Sequence, residues 1–165
     1  MKNIINDNRG ILMQLVAVLE DSSVETYNSI ASFSQSSFGG HVRHVIDHYV
    51  LFLSQVHSNC INYDQRERAL DVETNPTRAL IEVTQILSQW DSLFEVDLQR
   101  NVDYIGESGS GDCRYPTSVG RELQFLLSHT VHHFAILAMM MRDMGKKVDG
   151  NFGVAPSTLK YLQKI

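Results

Sequence analysis

The chain has 165 residues, 43% of them hydrophobic and 20% charged, and its formal net charge is −5, from 14 Lys+Arg against 19 Asp+Glu. That length suffices for one domain with its own apolar core. The acidic balance, with no stripe of Lys and Arg, excludes a general nucleic-acid surface. No uninterrupted apolar run reaches the ~18 residues of a membrane span, and residues 1–10 carry no apolar core of signal-peptide length. Cys60 and Cys113 make a poor disulfide framework and are expected to be free thiols in a reducing compartment. The expectation is one cytoplasmic domain over residues 1–165, with neither membrane nor nucleic acid as partner.

In chain order, residues 11–19 read as an amphipathic helix with Leu12, Leu15, Val16 and Leu19 on one side. Residues 22–37 are rich in Ser, Thr and Asn and read as a loop, with at most one helical turn around 27–33. Ser37 is an N-cap for a second long helix over 38–58. One stripe of that helix carries His41, His44, His48, Leu51 and Phe52, with Val45, Tyr49 and Val56 alongside. Gly39 and Gly40 fall in its first turn, where glycine is tolerable and lets another backbone approach closely. Residues 59–74 are polar and read as a loop around Tyr63-Asp64-Gln65-Arg66-Glu67-Arg68.

Asn75-Pro76 is a capping Asn followed by Pro at the first helical position. It opens a third helix running to 98, with Leu80, Val83, Leu87, Trp90 and Phe94 on its apolar face. Residues 102–116 read as a short hairpin or extended crossover. Its glycine-rich stretch from Gly106 to Gly111 lacks the Gly-Lys-Ser/Thr ending of a phosphate loop and reads as a hairpin tip. Thr117 or Ser118 caps the fourth long helix, 118–144, whose Met139, Met140, Met141 and Met144 read as core packing. Pro156 opens a short terminal helix over 157–163, and the apolar 152–158 either docks on the helices or covers a site as a lid. Four long helices joined in this way predict an all-α four-helix bundle with a short hairpin before the last long helix.

The chemistry concentrates in histidine. Of seven histidines, six fall in two groups, 41/44/48 and 129/132/133. In the stretch H-T-V-H-H-F, His129 and His133 stand one turn apart on a stripe with Leu126, Ile136, Leu137 and Met140. Two imidazoles on an apolar stripe are costly unless their ring nitrogens are satisfied, and a metal ion satisfies both. Bundles build metal sites from facing helices at i, i+3 or i, i+4 spacing, and three neutral imidazoles leave coordination positions open, as in catalytic sites. The alternative is a set of core histidines bonded to backbone and water. Tyr63, Arg66 and Arg68 would line the mouth and bind an anionic substrate, unless the segment is a solvated loop. Neither cysteine has a recognisable His partner for nucleophilic catalysis.

Gly40-His41-Val42-Arg43-His44-Val45-Ile46-Asp47-His48-Tyr49, followed later by Leu127-Ser128-His129-Thr130-Val131-His132-His133, resembles the DinB-like superfamily, which includes the YfiT-like metalloenzymes. The resemblance covers most of the chain and implies a four-helix bundle with a long crossover. It implies a metal triad of one His from the second helix and the pair from the fourth, here His44, His129 and His133, with His48 as alternative or additional ligand. The implied cofactor is a divalent ion, with zinc and nickel ahead of iron. The implied activity is thiol-dependent S-transfer or metal-dependent hydrolysis of a small molecule. A non-catalytic bundle with a structural or sensory metal is the alternative, and a homodimer fits either. An unperturbed imidazole titrates near about 6.5, so metal affinity is expected to fall below about pH 6.

Overall fold

The structure is a computed structural model that describes residues 3–106 and 113–164. It is mostly helical. Helix α1 spans Asn3–Glu20, the short α2 Val24–Asn28 and α3 Phe38–Gln55. Strand β1, Cys60–Asn62, runs into a 3-10 turn, Tyr63–Gln65, and the short helix α4, Leu70–Thr74. Helix α5, Pro76–Gln89, continues as a 3-10 segment, Trp90–Glu95. Strands β2, Asn101–Ile105, and β3, Tyr115–Ser118, precede the longest helix, α6, Val119–Asp143, and α7, Pro156–Leu162, closes the described chain. Helix α1 packs on α5 and α6, and α3 packs on the same two.

The caps follow the sequence closely. Ser37 accepts the Gly40 N–H at 3.0 Å, Asn75 accepts the Thr77 N–H at 2.9 Å, and Ser118 accepts from Arg121 at 3.3 Å. Each satisfies a backbone donor that the first helical turn leaves without a partner. By length and composition α6 is apolar enough to cross a bilayer, but here its Leu123, Leu126, Phe134, Leu137 and Met140 are core residues.

Four expectations need correction. The helical turn read around 27–33 lies instead at Val24–Asn28. Helix α1 begins at Asn3 rather than at 11, because Ile5 and Asn8 continue its buried face by two turns. The helix opened by Pro76 ends at Gln89 and tightens to 3-10 geometry, so its run to 98 was too long. The stretch 59–74 is not simply loop, since Cys60–Asn62 is a strand. It pairs parallel to β2, Ile61 opposite Tyr104, and β2 pairs antiparallel to β3, Val102 opposite Thr117. The hairpin was foreseen. Its partner β1 was not, because three residues are too few for an alternation to show. The hairpin tip from Gly106 to Gly111 falls, beyond Gly106 itself, outside the described residues. Pro116 sits on β3, the sheet edge, where a missing N–H is tolerated.

A buried polar network fixes the spacing of α1, α3 and α6. The Tyr49 hydroxyl donates to Asn8 Oδ1 at 2.8 Å, and Asn8 Nδ2 donates to the Leu123 carbonyl at 3.0 Å. The Thr130 hydroxyl lies 3.1 Å from the Tyr49 oxygen and 2.7 Å from the Leu126 carbonyl. Trp90 Nε1 donates to the Ile5 carbonyl at 2.9 Å, closing the 3-10 segment onto α1. At the other end, Phe152 stacks on Phe134 with centroids 4.7 Å apart, and Gly153, at φ 72°, lays its backbone against Phe134 and Ala135. Residues 152–153 therefore dock on α6.

Gly39 meets the Tyr27 ring and the Glu73 carbonyl where a side chain would begin, whereas exposed Gly10, inside α1, has nothing near it. Gly10→Ala should therefore stabilise the fold by about 0.5–1 kcal/mol, the helix-propensity difference. Gly39→Ala should destabilise it by about 1–3 kcal/mol through overpacking. Urea unfolding of both variants checks this, and equal signs would refute the packing reading.

Candidate metal centre

Helices α3 and α6 face each other with their histidines between them. On α3, His41, His44 and His48 occupy successive turns of one face, and on α6 His129 and His133 do the same. His44, His48 and His129 each bring one ring nitrogen within 4.8 Å of the others, so the three could hold a metal ion. His44 Nε2 lies 3.1 Å from His129 Nε2, and His133 Nε2 lies 3.1 Å from the same atom. The His44 and His133 ring centroids are 4.7 Å apart. His48 is fully buried, while His44, His129 and His133 are half-buried and reach the solvent side.

His129 Nε2 has a single hydrogen-bonding position, yet two other ring nitrogens stand at contact distance from it. Hydrogen bonds cannot satisfy both contacts fully, whereas a cation taking the lone pair of each ring can. With metal–nitrogen bonds of about 2.05 Å, neighbouring ligand nitrogens lie about 3.3 Å apart in a tetrahedron and about 2.9 Å in an octahedron. The observed 3.1 Å edges fall between these values. His48 Nδ1 lies 2.7 Å from the His44 carbonyl, to which it can only donate, so its Nε2 carries the lone pair. The donor set therefore fits a metal ion.

The surroundings keep the rings neutral. Burial, followed by the positive charges of neighbouring groups, lowers His44 and His129 to about 4 and His133 to about 3. Burial lowers His48 to about 2 despite its bond to the His44 carbonyl. Arg66 is among the depressing charges at His44, His48 and His129, so its guanidinium stands close to the cluster. Arg68 is exposed, and none of these shifts involves it. Asp47 lies beneath Arg43, which donates to Asp47 Oδ2 at 2.7 Å and to Glu73 Oε2 at 2.8 Å and so ties α4 to α3.

Tyr63 is buried against the ring of His48 at 5.5 Å and that of Phe125 at 5.2 Å, and Phe125 stacks on His129 at 5.5 Å. Tyr63 and Phe125 also line a cavity of about 850 Å³, together with Asn101, Tyr104, Tyr115, Thr117, Arg121 and Glu122. The histidines do not line this cavity, and the two aromatic rings form the wall between. Burial and then the Glu122 carboxylate push the Tyr63 phenol well above its ordinary range, so it stays protonated.

A profile of the DinB superfamily matches residues 9–137. The chain belongs to the DinB superfamily. Over 107 residues, 63% of this chain, it is 29% identical to FK506-binding protein 5 of Rhizopus delemar and spans 28% of that protein's length. No solved structure matches. In this DinB-superfamily chain the matched region holds every histidine of the cluster.

His132 is exposed, its ring 5.2 Å from that of His133. Sequence reasoning passed over Phe125 and placed His41 on the α3 stripe without a role. Phe125 lies one turn before His129, and that spacing was the available signal. His41 lies one turn before His44 and contacts His133 at 3.2 Å. Cys60 lies in β1 and Cys113 just before β3, and neither joins a disulfide.

The depressed values move the expected titration. In the folded chain protons compete at His44 and His129 near about 4, not near about 6.5 as an unperturbed imidazole would. Between those values the unfolded chain binds more protons, so stability rises with pH and is lost as pH falls. The melting temperature of metal-free protein should drop between about pH 7 and about pH 4.5. The drop should be smaller in a His44→Gln/His129→Gln variant. Identical slopes for parent and variant would refute the neutral-cluster account.

Proposed function

We propose that this chain is a metal-dependent enzyme in which His44, His129 and His133 hold a divalent cation, zinc or nickel ahead of iron, on a four-helix bundle with a long crossover. The observation that carries the reading is the half-exposed cluster of neutral imidazoles beside the Arg66 cation. Such an ion supplies Lewis-acid chemistry, lowering the pKa of a thiol or water bound next to the histidines. The protein's part is to keep three lone pairs aimed at one point and to leave the solvent side open. Arg66 presents a fixed positive charge there, suited to an anionic group or thiolate of a small-molecule substrate. Tyr63 and Phe125 exclude water from the inner side and wall the histidines off from the aromatic cavity behind them. The reaction is S-transfer from a thiol or a hydrolysis.

His48 supports a second reading. One of its ring nitrogens belongs to the same group as those of His44 and His129, and a fourth imidazole would close the coordination shell, as in a structural or sensory site.

Elemental analysis of protein purified without a histidine tag should find about one divalent ion per chain, since the cluster offers one set of converging nitrogens. Protein that holds no metal and refuses added zinc and nickel would overturn both readings. Cobalt-substituted protein should bind azide or 2-mercaptoethanol with a change in its visible spectrum. Arg66→Leu should weaken that binding about 10-fold, the contribution of a charge-assisted contact. A spectrum unmoved by either probe, with four imidazoles on the metal by X-ray absorption, would favour the structural site.

A further inference from the structure

The interaction of His41 with His133 points outward from the cluster to Ser34, and the hydrogens along that line can be assigned. The Ser34 hydroxyl donates to the Ser36 carbonyl at 2.8 Å and accepts the Ser36 N–H at 3.1 Å. Its only hydrogen is thus committed to a backbone acceptor. The remaining lone pair faces His41 Nε2 at 3.3 Å, so His41 Nε2 carries the hydrogen. A neutral imidazole has one N–H, which leaves His41 Nδ1 as an acceptor. That atom lies 3.2 Å from His133 Nδ1, so His133 Nδ1 must be the donor. His133 Nε2 then keeps its lone pair where it lies 3.1 Å from His129 Nε2.

We propose that His41 is a positioning residue that holds His133 in the tautomer with a bare Nε2, and that Ser34 sets the tautomer of His41 in turn. The inference rests on the reading of His133 as a metal ligand. Burial lowers the His41 pKa below its ordinary value, consistent with the neutral ring the line requires. The line is built into the fold. Ser34 N–H donates to the Ala31 carbonyl at 3.0 Å, and Phe38 N–H to the Ser29 carbonyl at 2.9 Å, so the segment before α3 is a fixed turn. Gly40 has no side chain where the Ser36 hydroxyl sits, so the turn packs directly against the first turn of α3. The arrangement answers a physical need. Metal-ligating imidazoles donate their second N–H to a partner that fixes ring and tautomer, and loss of that partner typically lowers metal affinity by about 10–100-fold.

The test uses the full chain labelled with 15N at histidine. Two-bond 1H–15N correlation of metal-free protein reads each tautomer, and competition with a chromophoric chelator reads zinc affinity. In the parent, His133 should carry its hydrogen on Nδ1. His41→Leu should shift it toward Nε2–H and weaken zinc binding about 10–100-fold, while His41→Asn, whose amide oxygen replaces the accepting nitrogen, should stay within about 3-fold. Ser34→Ala leaves His41 in place but frees its tautomer. It should broaden or split the His41 and His133 signals with a smaller loss of affinity, and it carries the test if His41→Leu does not fold. His133 found as Nε2–H in the parent, or His41→Leu binding zinc as tightly as the parent, would overturn the proposal. So would His41→Asn losing as much affinity as His41→Leu. A parent that shows Nδ1–H at His133 yet takes up no zinc would uphold the line from Ser34 and overturn the metal reading instead.

Discussion

The structure turns on one atom. His129 Nε2 has a ring nitrogen at 3.1 Å on each of two sides, one from α3 and one from its own helix. For this to occur, α3 and α6 must lie close and face to face over that turn. The neighbours of the histidines in the chain enforce it. Tyr49, next to His48, and Thr130, next to His129, meet in the buried hydroxyl pair that Asn8 of α1 completes. A buried network of this kind is costly if any member lacks a partner, so the interhelical spacing that satisfies it also sets the separation of the imidazoles. The core and the site are one constraint seen from two sides.

The small sheet has a comparable role on the opposite wall. Pairing β1 in parallel with β2 places the turn that follows it, Tyr63–Gln65, against α6 near Phe125. Arg66, at the end of that turn, then acts on His44, His48 and His129 together. Two aromatic rings and one guanidinium make the environment of the histidines partly dry and electropositive. Both features hold the imidazoles neutral, because a charged ring would lose hydration and meet a like charge.

Much of this was legible in the chain. The i, i+4 pair His129/His133 and the His44/His48 pair were visible because helical periodicity maps spacing onto faces without ambiguity. The caps at Ser37, Asn75 and Ser118 were legible because each depends on a local hydrogen bond. The glycines at 39 and 40 implied a close approach, and the partners proved to be Tyr27, Glu73 and Ser36. What stayed hidden was non-local. A three-residue strand such as β1 acquires its identity from β2, distant in sequence. The separation of Arg66 from Arg68 required the turn at Tyr63, since the two have the same chemistry and differ only in direction. His41 shares a stripe with His44 and His48, and no periodicity could reveal that its other nitrogen meets a serine in a loop.

The bond from His48 Nδ1 to the His44 carbonyl has a further consequence. It anchors one imidazole to the backbone one turn earlier, within a helix already fixed by packing, and Tyr63 and Phe125 restrict the rings above it. The rotamer freedom of these side chains is therefore lost when the chain folds, not when an ion arrives. On the proposed reading, a cation entering such a site gives up its own water shell but orders little protein. On the proposed reading the histidine cluster is a preformed template, and discrimination among ions falls to how well each tolerates its nitrogen spacing.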